Sequence, residues 1–161
     1  MPTTEMAIEI AKLIEKRLKY EIVQQGHKLT GKLLESIEYK IERTGGDFSI
    51  TYLMEFYGVI LDKGVTAARI PFGGQGTGAK TSKYIQGLTR YARLRFNVNA
   101  KEALKIAFAI AHKQKKKGMP TKGSYRFSKT GKRTDFVGDT LRDVDSDIKA
   151  ILGRIYFEFL I

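Results

Sequence analysis

Apolar positions along the chain follow two rhythms. Between residues 4 and 25, Ala7, Ile10, Ala11, Ile14, Leu18 and Ile22 recur at helical spacing, separated by Glu5, Glu9, Lys12, Glu15, Lys16 and Lys19. That pattern predicts a long amphipathic helix. Thr3 or Thr4 is placed to cap its start and Gly26 to end it. Thr30 can then cap a short helical turn that carries Leu33, Leu34 and Ile37 to the core. After this the period shortens to two. Ile37, Tyr39 and Ile41 alternate with Glu38, Lys40 and Glu42, and beyond "TGGD" at 44–47 the residues Phe48, Ile50, Tyr52 and Met54 alternate again. A β-hairpin over residues 37–54 is predicted, with glycines supplying the turn. Gly58 and Gly64 bracket a short apolar turn or helix.

Helical spacing returns beyond "IPFGGQGTGAKTS", whose Gly73, Gly74, Gly76 and Gly78 predict a flexible loop over 73–80. Residues 81–96 place Tyr84, Leu88, Tyr91 and Leu94 or Arg95 on one helical face. In the next segment, Asn99 and Glu102 have the spacing of a capping box, and Ala103, Ile106, Ala107, Ile110 and Ala111 form a buried stripe. Lys113 to Lys117 crowd the last turn, and Gly118 and Pro120 end it. Residues 118–138 are polar with scattered aromatics, which suggests a second hairpin around "SKTGKR". A last helix is expected from Asp139 or Thr140, burying Leu141, Val144, Ile148, Ile151 or Leu152, and Ile155. The predicted fold class is α+β. A small antiparallel β-sheet (the 37–54 hairpin plus further short strands) is packed by a long N-terminal helix and a central helix, with a C-terminal helix, in a single domain over 1–161.

Charge alters this picture, because the net +12 is unevenly placed. Residues 1–78 hold ten Lys and Arg against ten Asp and Glu, residues 79–133 hold sixteen against Glu102 alone, and residues 134–161 hold three against six. A strongly basic middle suggests a face for a polyanion or an acidic partner. Candidate contacts are Lys113, Lys115, Lys116, Lys117, Lys122, Arg126, Lys129, Lys132 and Arg133, with Tyr125 and Phe127 interleaved. The same lysines also have a plain structural reading, since cations in a helix's last turn offset its negative end. The ending "RIYFEFLI" is so apolar that Phe157, Phe159, Leu160 and Ile161 are expected to meet the core or a neighbouring subunit.

Candidate chemistry is sparse. There is no Cys, and His27 and His112 are far apart, so neither a disulfide nor a metal site is expected. Gly73 and Gly78 have the spacing of a phosphate loop, but Ala79 stands where that loop needs lysine and Pro71 fits poorly in the strand before it. Carboxylate pairs such as Asp143 with Asp145, or Glu35 with Glu38, lack the partners that acid–base catalysis requires. No cofactor and no enzymatic activity are expected. The charged N-terminus does not read as a secretory signal, and no apolar run approaches the roughly 20 residues of a membrane span, so no membrane partner is expected.

Three stretches in order, "LTGKLLESI", "YGVILDKGV" followed by "IPF", and "AFAIAHKQKKKGMPTKGSYRF", resemble tail-completion or neck proteins, the head–tail connectors of long-tailed bacteriophages. The matching positions are Thr30, Gly31, Leu33, Ser36 and Ile37, then Tyr57, Gly58 and Gly64, then Ile110, Lys113, Gly118 and Phe127. Asp62-Lys63-Gly64 only approximates the family's acidic residue before the turn glycine, and the glycine loop and acidic C-terminal segment depart from its pattern. The resemblance implies a non-enzymatic virion protein, assembled in the host cytoplasm, forming a homo-oligomeric ring in the neck between portal and tail. Its partners would be portal, connector and tail proteins, and DNA passing through the channel. The alternative from the residues alone is a non-sequence-specific nucleic-acid-binding protein that uses segment 113–133.

Overall fold

The computed structural model describes residues 3–74, 82–120 and 131–158, without the side chains of 155–158. In chain order the elements are α1 (Thr4–Gln24), α2 (Lys32–Glu35), β1 (Glu38–Thr44), β2 (Asp47–Leu53), α3 (Phe56–Lys63), a 3-10 turn (Ala67–Arg69), α4 (Lys83–Phe96), α5 (Ala100–Lys117) and α6 (Phe136–Glu158). The fold is α+β, with an antiparallel hairpin and a long N-terminal helix. Thr3 caps α1 by accepting from the Met6 amide, and Gly26, at φ 75°, turns the chain away after it.

Two apolar clusters organise the molecule. In the first, Leu18 and Ile22 of α1 meet Leu33, Ile37 and Phe136, with Tyr52, Met54 and Leu61 packed around them. Here α1 lies along α6 and the hairpin leans on α1. The Tyr52 hydroxyl fixes that lean by donating to the Ala11 carbonyl at 2.7 Å, and burial pushes its pKa upward. In the second cluster Ile70 and Phe72 meet Ile85 of α4 and Ala107 and Ala111 of α5. Ala92, Ala103, Ala107 and Ala111 are all fully buried, so α4 and α5 meet along a seam of small side chains.

Between the clusters the chain crosses itself. Val65 and Met119 exchange both backbone hydrogen bonds, at 2.6 and 2.7 Å, as an isolated antiparallel bridge. Gly64 and Gly118 precede these residues, at φ 72° and 80°. A Cβ on Gly64 would stand 2.6 Å from the Met119 carbonyl oxygen, and one on Gly118 would stand 2.6 Å from that of Val65. Both glycines are therefore required by the close approach of backbone to backbone.

Three expectations are corrected. Among the described residues the hairpin is the whole sheet, and the Val65–Met119 bridge stands where further short strands were expected. The last helix begins at Phe136, ahead of Asp139, because α3 caps it: Asp62 accepts from the Val137 amide at 2.9 Å through its carboxylate, and from the Asp135 amide at 2.7 Å through its carbonyl. The buried face of α6 is shifted accordingly, running through Phe136, Thr140, Val144 and Ile151 and leaving Leu141 exposed. On α4 the seam uses Ile85 and Ala92, and Leu94 faces out. The second hairpin expected around "SKTGKR" falls largely outside the described residues.

Gly118→Ala is expected to destabilise the protein by at least about 2 kcal/mol, from the strained φ and the collision with Val65. Gly87→Ala, mid-helix with open space at its Cβ position, should stabilise by about 0.5–1 kcal/mol. Urea denaturation of the two variants checks both signs.

Candidate functional site

Charge is sorted between the two halves of the fold. The ion pairs of α1 and α6 use their carboxylates internally: Arg17 binds Glu21 at 2.9 Å and also Asp143, Lys19 binds Glu15, Arg142 binds Asp135 and Asp139, Lys149 binds Asp145, and Arg154 binds Glu9. Helices α4 and α5 have Glu102 as their one acid. Its backbone amide donates to the side chain of Asn99, which caps α5. Because the α4–α5 seam is filled by alanines and a few aliphatic side chains, the cations of both helices point outward. Lys83, Arg90, Arg93, Lys101, Lys105, Lys113, Lys116 and Lys117 are all exposed.

Among the described residues of the basic segment singled out in the sequence, the side chains have different surroundings. Lys113, Lys116 and Lys117 are exposed on the last turns of α5. Lys115 is exposed too, but its ammonium donates to the Ile70 carbonyl at 3.0 Å, tying the end of α5 to the second cluster. Arg133 donates through Nε to the Gln25 carbonyl at 3.0 Å, and burial, with the nearby Arg95 charge, lowers its pKa. Lys132 is exposed, with a contact of its own. Lys122, Arg126 and Lys129 lie outside the described residues, as do Phe159, Leu160, Ile161, the Phe157 side chain and loop positions 75–80.

Two grooves border α4. One, of about 550 Å³, runs between the 27–34 loop and α4, lined by Lys28, Lys32, Tyr57, Arg90, Tyr91 and Leu94 among others. The other, of about 600 Å³, lies between α4 and the start of α5, lined by Thr89, Arg90, Arg93, Leu94, Asn97 and Leu104 among others. They share Arg90 and Leu94, and no carboxylate lines either. The Glu35 carboxylate lies beside Gly31, a residue of the first groove's lining. Sequence reasoning passed over Lys28, Lys32, Arg90 and Arg93, because ordinary spacing separates them and only tertiary packing brings the loop to α4.

His27 holds the loop side of the first groove in place. Its Nε2 donates to the Arg133 carbonyl at 2.9 Å, and its ring packs 5.9 Å from that of Phe136. Burial, and secondarily the Arg133 charge, drives its pKa down to about 4, so the ring is neutral with the proton on Nε2. His112, near the end of α5, packs edge-on against Phe72, their ring centroids 4.9 Å apart. Among the described residues no three His, Asp or Glu side chains converge on a common point, and no helix is long and apolar enough to cross a membrane.

The stretches that carry the family resemblance meet one another. Leu33 is buried in the first cluster, and Gly58 sits so close to it that a Cβ would stand 2.8 Å from a Leu33 methyl and 2.7 Å from the Met54 sulfur. Ser36 donates to the Leu33 carbonyl and accepts from the Glu55 amide, closing the base of the hairpin. Ile70 and Phe72 of "IPF" pack against Ala107 and Ala111 of the third stretch. No protein-family model, curated protein or solved structure matches the chain.

Because the pKa of His27 lies near 4 when folded and near 6.5 when unfolded, the unfolded chain takes up this proton first on acidification. The associated stability is complete above pH 6.5 and is lost towards pH 4, by roughly 2–3 kcal/mol. The stability difference between wild type and His27→Asn, followed by urea denaturation across that window, should shrink as pH falls. A difference that stays constant with pH would contradict the assignment.

Proposed function

We propose that this chain is a structural subunit of a bacteriophage head–tail connector, a tail-completion protein that works as a homo-oligomeric ring between portal and tail and performs no catalysis. The observation that carries this reading is the convergence of the three family-like stretches: Leu33 against Gly58, Ser36 closing the hairpin, Ile70 and Phe72 against Ala107 and Ala111, and Gly64 against the residue after Gly118. Several residues of the resemblance, Leu33, Ser36, Ile37, Gly58, Gly64 and Gly118, join the segments, which favours a motif that defines an architecture over one that defines a reaction centre.

Two further features support assembly. The hairpin has no fully buried residue, and β1 and β2 pair only with each other among the described residues, which leaves a donor–acceptor edge on either side for a neighbouring copy. Phe56 and Val59 of α3 are exposed beside the end of β2, Phe56 by 76%. In a ring, copies would cover one another's hairpins and α3 faces, while the basic half meets acidic partner surfaces or DNA in transit.

The alternative, nucleic-acid binding centred on 113–133, is weakened by the use of Lys115 and Arg133 inside the fold. The connector reading is tested by sedimentation at micromolar concentration, alone and mixed with purified tailless heads or free tails. Rings, or co-sedimentation with either particle, are expected. A monomer that binds neither would overturn the proposal.

A further inference from the structure

We propose that the two grooves bordering α4 form one binding track for single-stranded nucleic acid. This does not rest on the connector reading, and it places the contact on residues other than 113–133.

The track has the parts such a ligand needs. Lys28 and Lys32 supply cations from the loop, while Arg90 and Arg93 supply them from α4. All four are exposed, and none has an ion-pair partner among the described residues, whereas each cation of α6 has one. A phosphodiester backbone is the polyanion that guanidinium groups bind with two parallel hydrogen bonds, which suits Arg90 at the point where the grooves join. Tyr57 and Tyr91 stand in the wall of the first groove, and Tyr57 is 40% exposed. Aromatic rings within a cationic groove provide stacking faces for unpaired bases. A duplex buries its bases inside and offers only a convex phosphate surface, so it could use the cations but not the tyrosines or the concavity. An acidic peptide without aromatic side chains, such as polyglutamate, would meet the cations but has no flat rings to stack.

The loop wall is also built to keep its shape. Gly26 and Gly31 take left-handed φ values of 75° and 89° at either end of the loop, and His27 fixes the chain between them through the Arg133 carbonyl. Lys28 is thereby presented from a braced turn, and Lys32 from the first position of α2 directly after Gly31, which reduces the ordering cost of binding.

The test is fluorescence anisotropy with a labelled oligothymidine of about 20 nucleotides and the corresponding duplex, at several salt concentrations upward from about 50 mM. Wild type should bind the single strand more tightly than the duplex, with log K falling against log salt at a slope of about −3 for four phosphate contacts. The variant K28Q/K32Q/R90Q/R93Q should lose at least tenfold in affinity and most of that slope. The control K105Q/K113Q/K116Q/K117Q removes the same charge from exposed positions of α5 and should lose less than threefold. Tyr57→Ala should weaken the single strand roughly fivefold or more and leave duplex binding unchanged. Circular dichroism verifies folding, and the pair R90Q and K28Q/K32Q replaces the quadruple variant if that one is unstable. No binding by wild type, equal losses in track and control variants, tighter binding of duplex, or equal affinity for polyglutamate would each overturn the proposal.

Discussion

Two peptide groups at the crossing of Val65 and Met119 hold the two halves of this molecule in register. One residue follows α3 and the other follows α5, so a single reciprocal pair of hydrogen bonds links the exit of the first cluster to the exit of the second. The backbones come so close that only hydrogen is tolerated on the preceding α-carbons, Gly64 and Gly118. Around this crossing the α4–α5 pair and the α1–α6 pair can each pack by their own rules: a small-residue seam in one, larger aliphatic and aromatic side chains in the other. Lys115, bound to the Ile70 carbonyl, and Asp62, bound to the start of α6, reinforce the same joint from either side.

That division also governs the electrostatics. Where α1 faces α6, acids and bases are paired across the helices, as in Arg17 with Asp143 and Arg154 with Glu9. Such exposed pairs contribute little stability, typically below about 1 kcal/mol each, but they leave that face with little net field. Helices α4 and α5 hold a single acid, Glu102, and Arg90 and Arg93 border concave surface. The resulting potential follows from the tertiary arrangement and not from any one lysine run, since part of the most conspicuous run is committed to internal hydrogen bonds.

Local pattern carried most of the secondary structure. Thr3 and Asn99 cap the helices that their positions suggested, Gly26 ends α1, and the alternation from Ile37 to Met54 became the hairpin around Gly45. Long-range partners account for what the pattern missed. The start of α6 is set by Asp62, a residue distant in sequence, so Leu141 lost its place in the core to Thr140, while Val144 kept the buried position its spacing suggested. Leu94 has the period of a buried position, yet it lies on the rim of both grooves beside α4. Arg133 looked like surface charge because nothing near it in sequence reveals the Gln25 carbonyl that it binds.

The remote cap on α6 has a bearing on how the chain matures. Leu18, Ile22, Leu33 and Ile37 are all translated long before Phe136, the ring that completes their cluster. As the polypeptide leaves the ribosome, Tyr52, Met54 and Leu61 can cover part of that apolar surface, but it lacks the Phe136 ring until α4 and α5 have been made, and α3 must already be formed to receive α6. Closure therefore waits for Phe136, and a nascent chain interrupted before that residue would present an incomplete apolar face to chaperones or to its siblings on the same message.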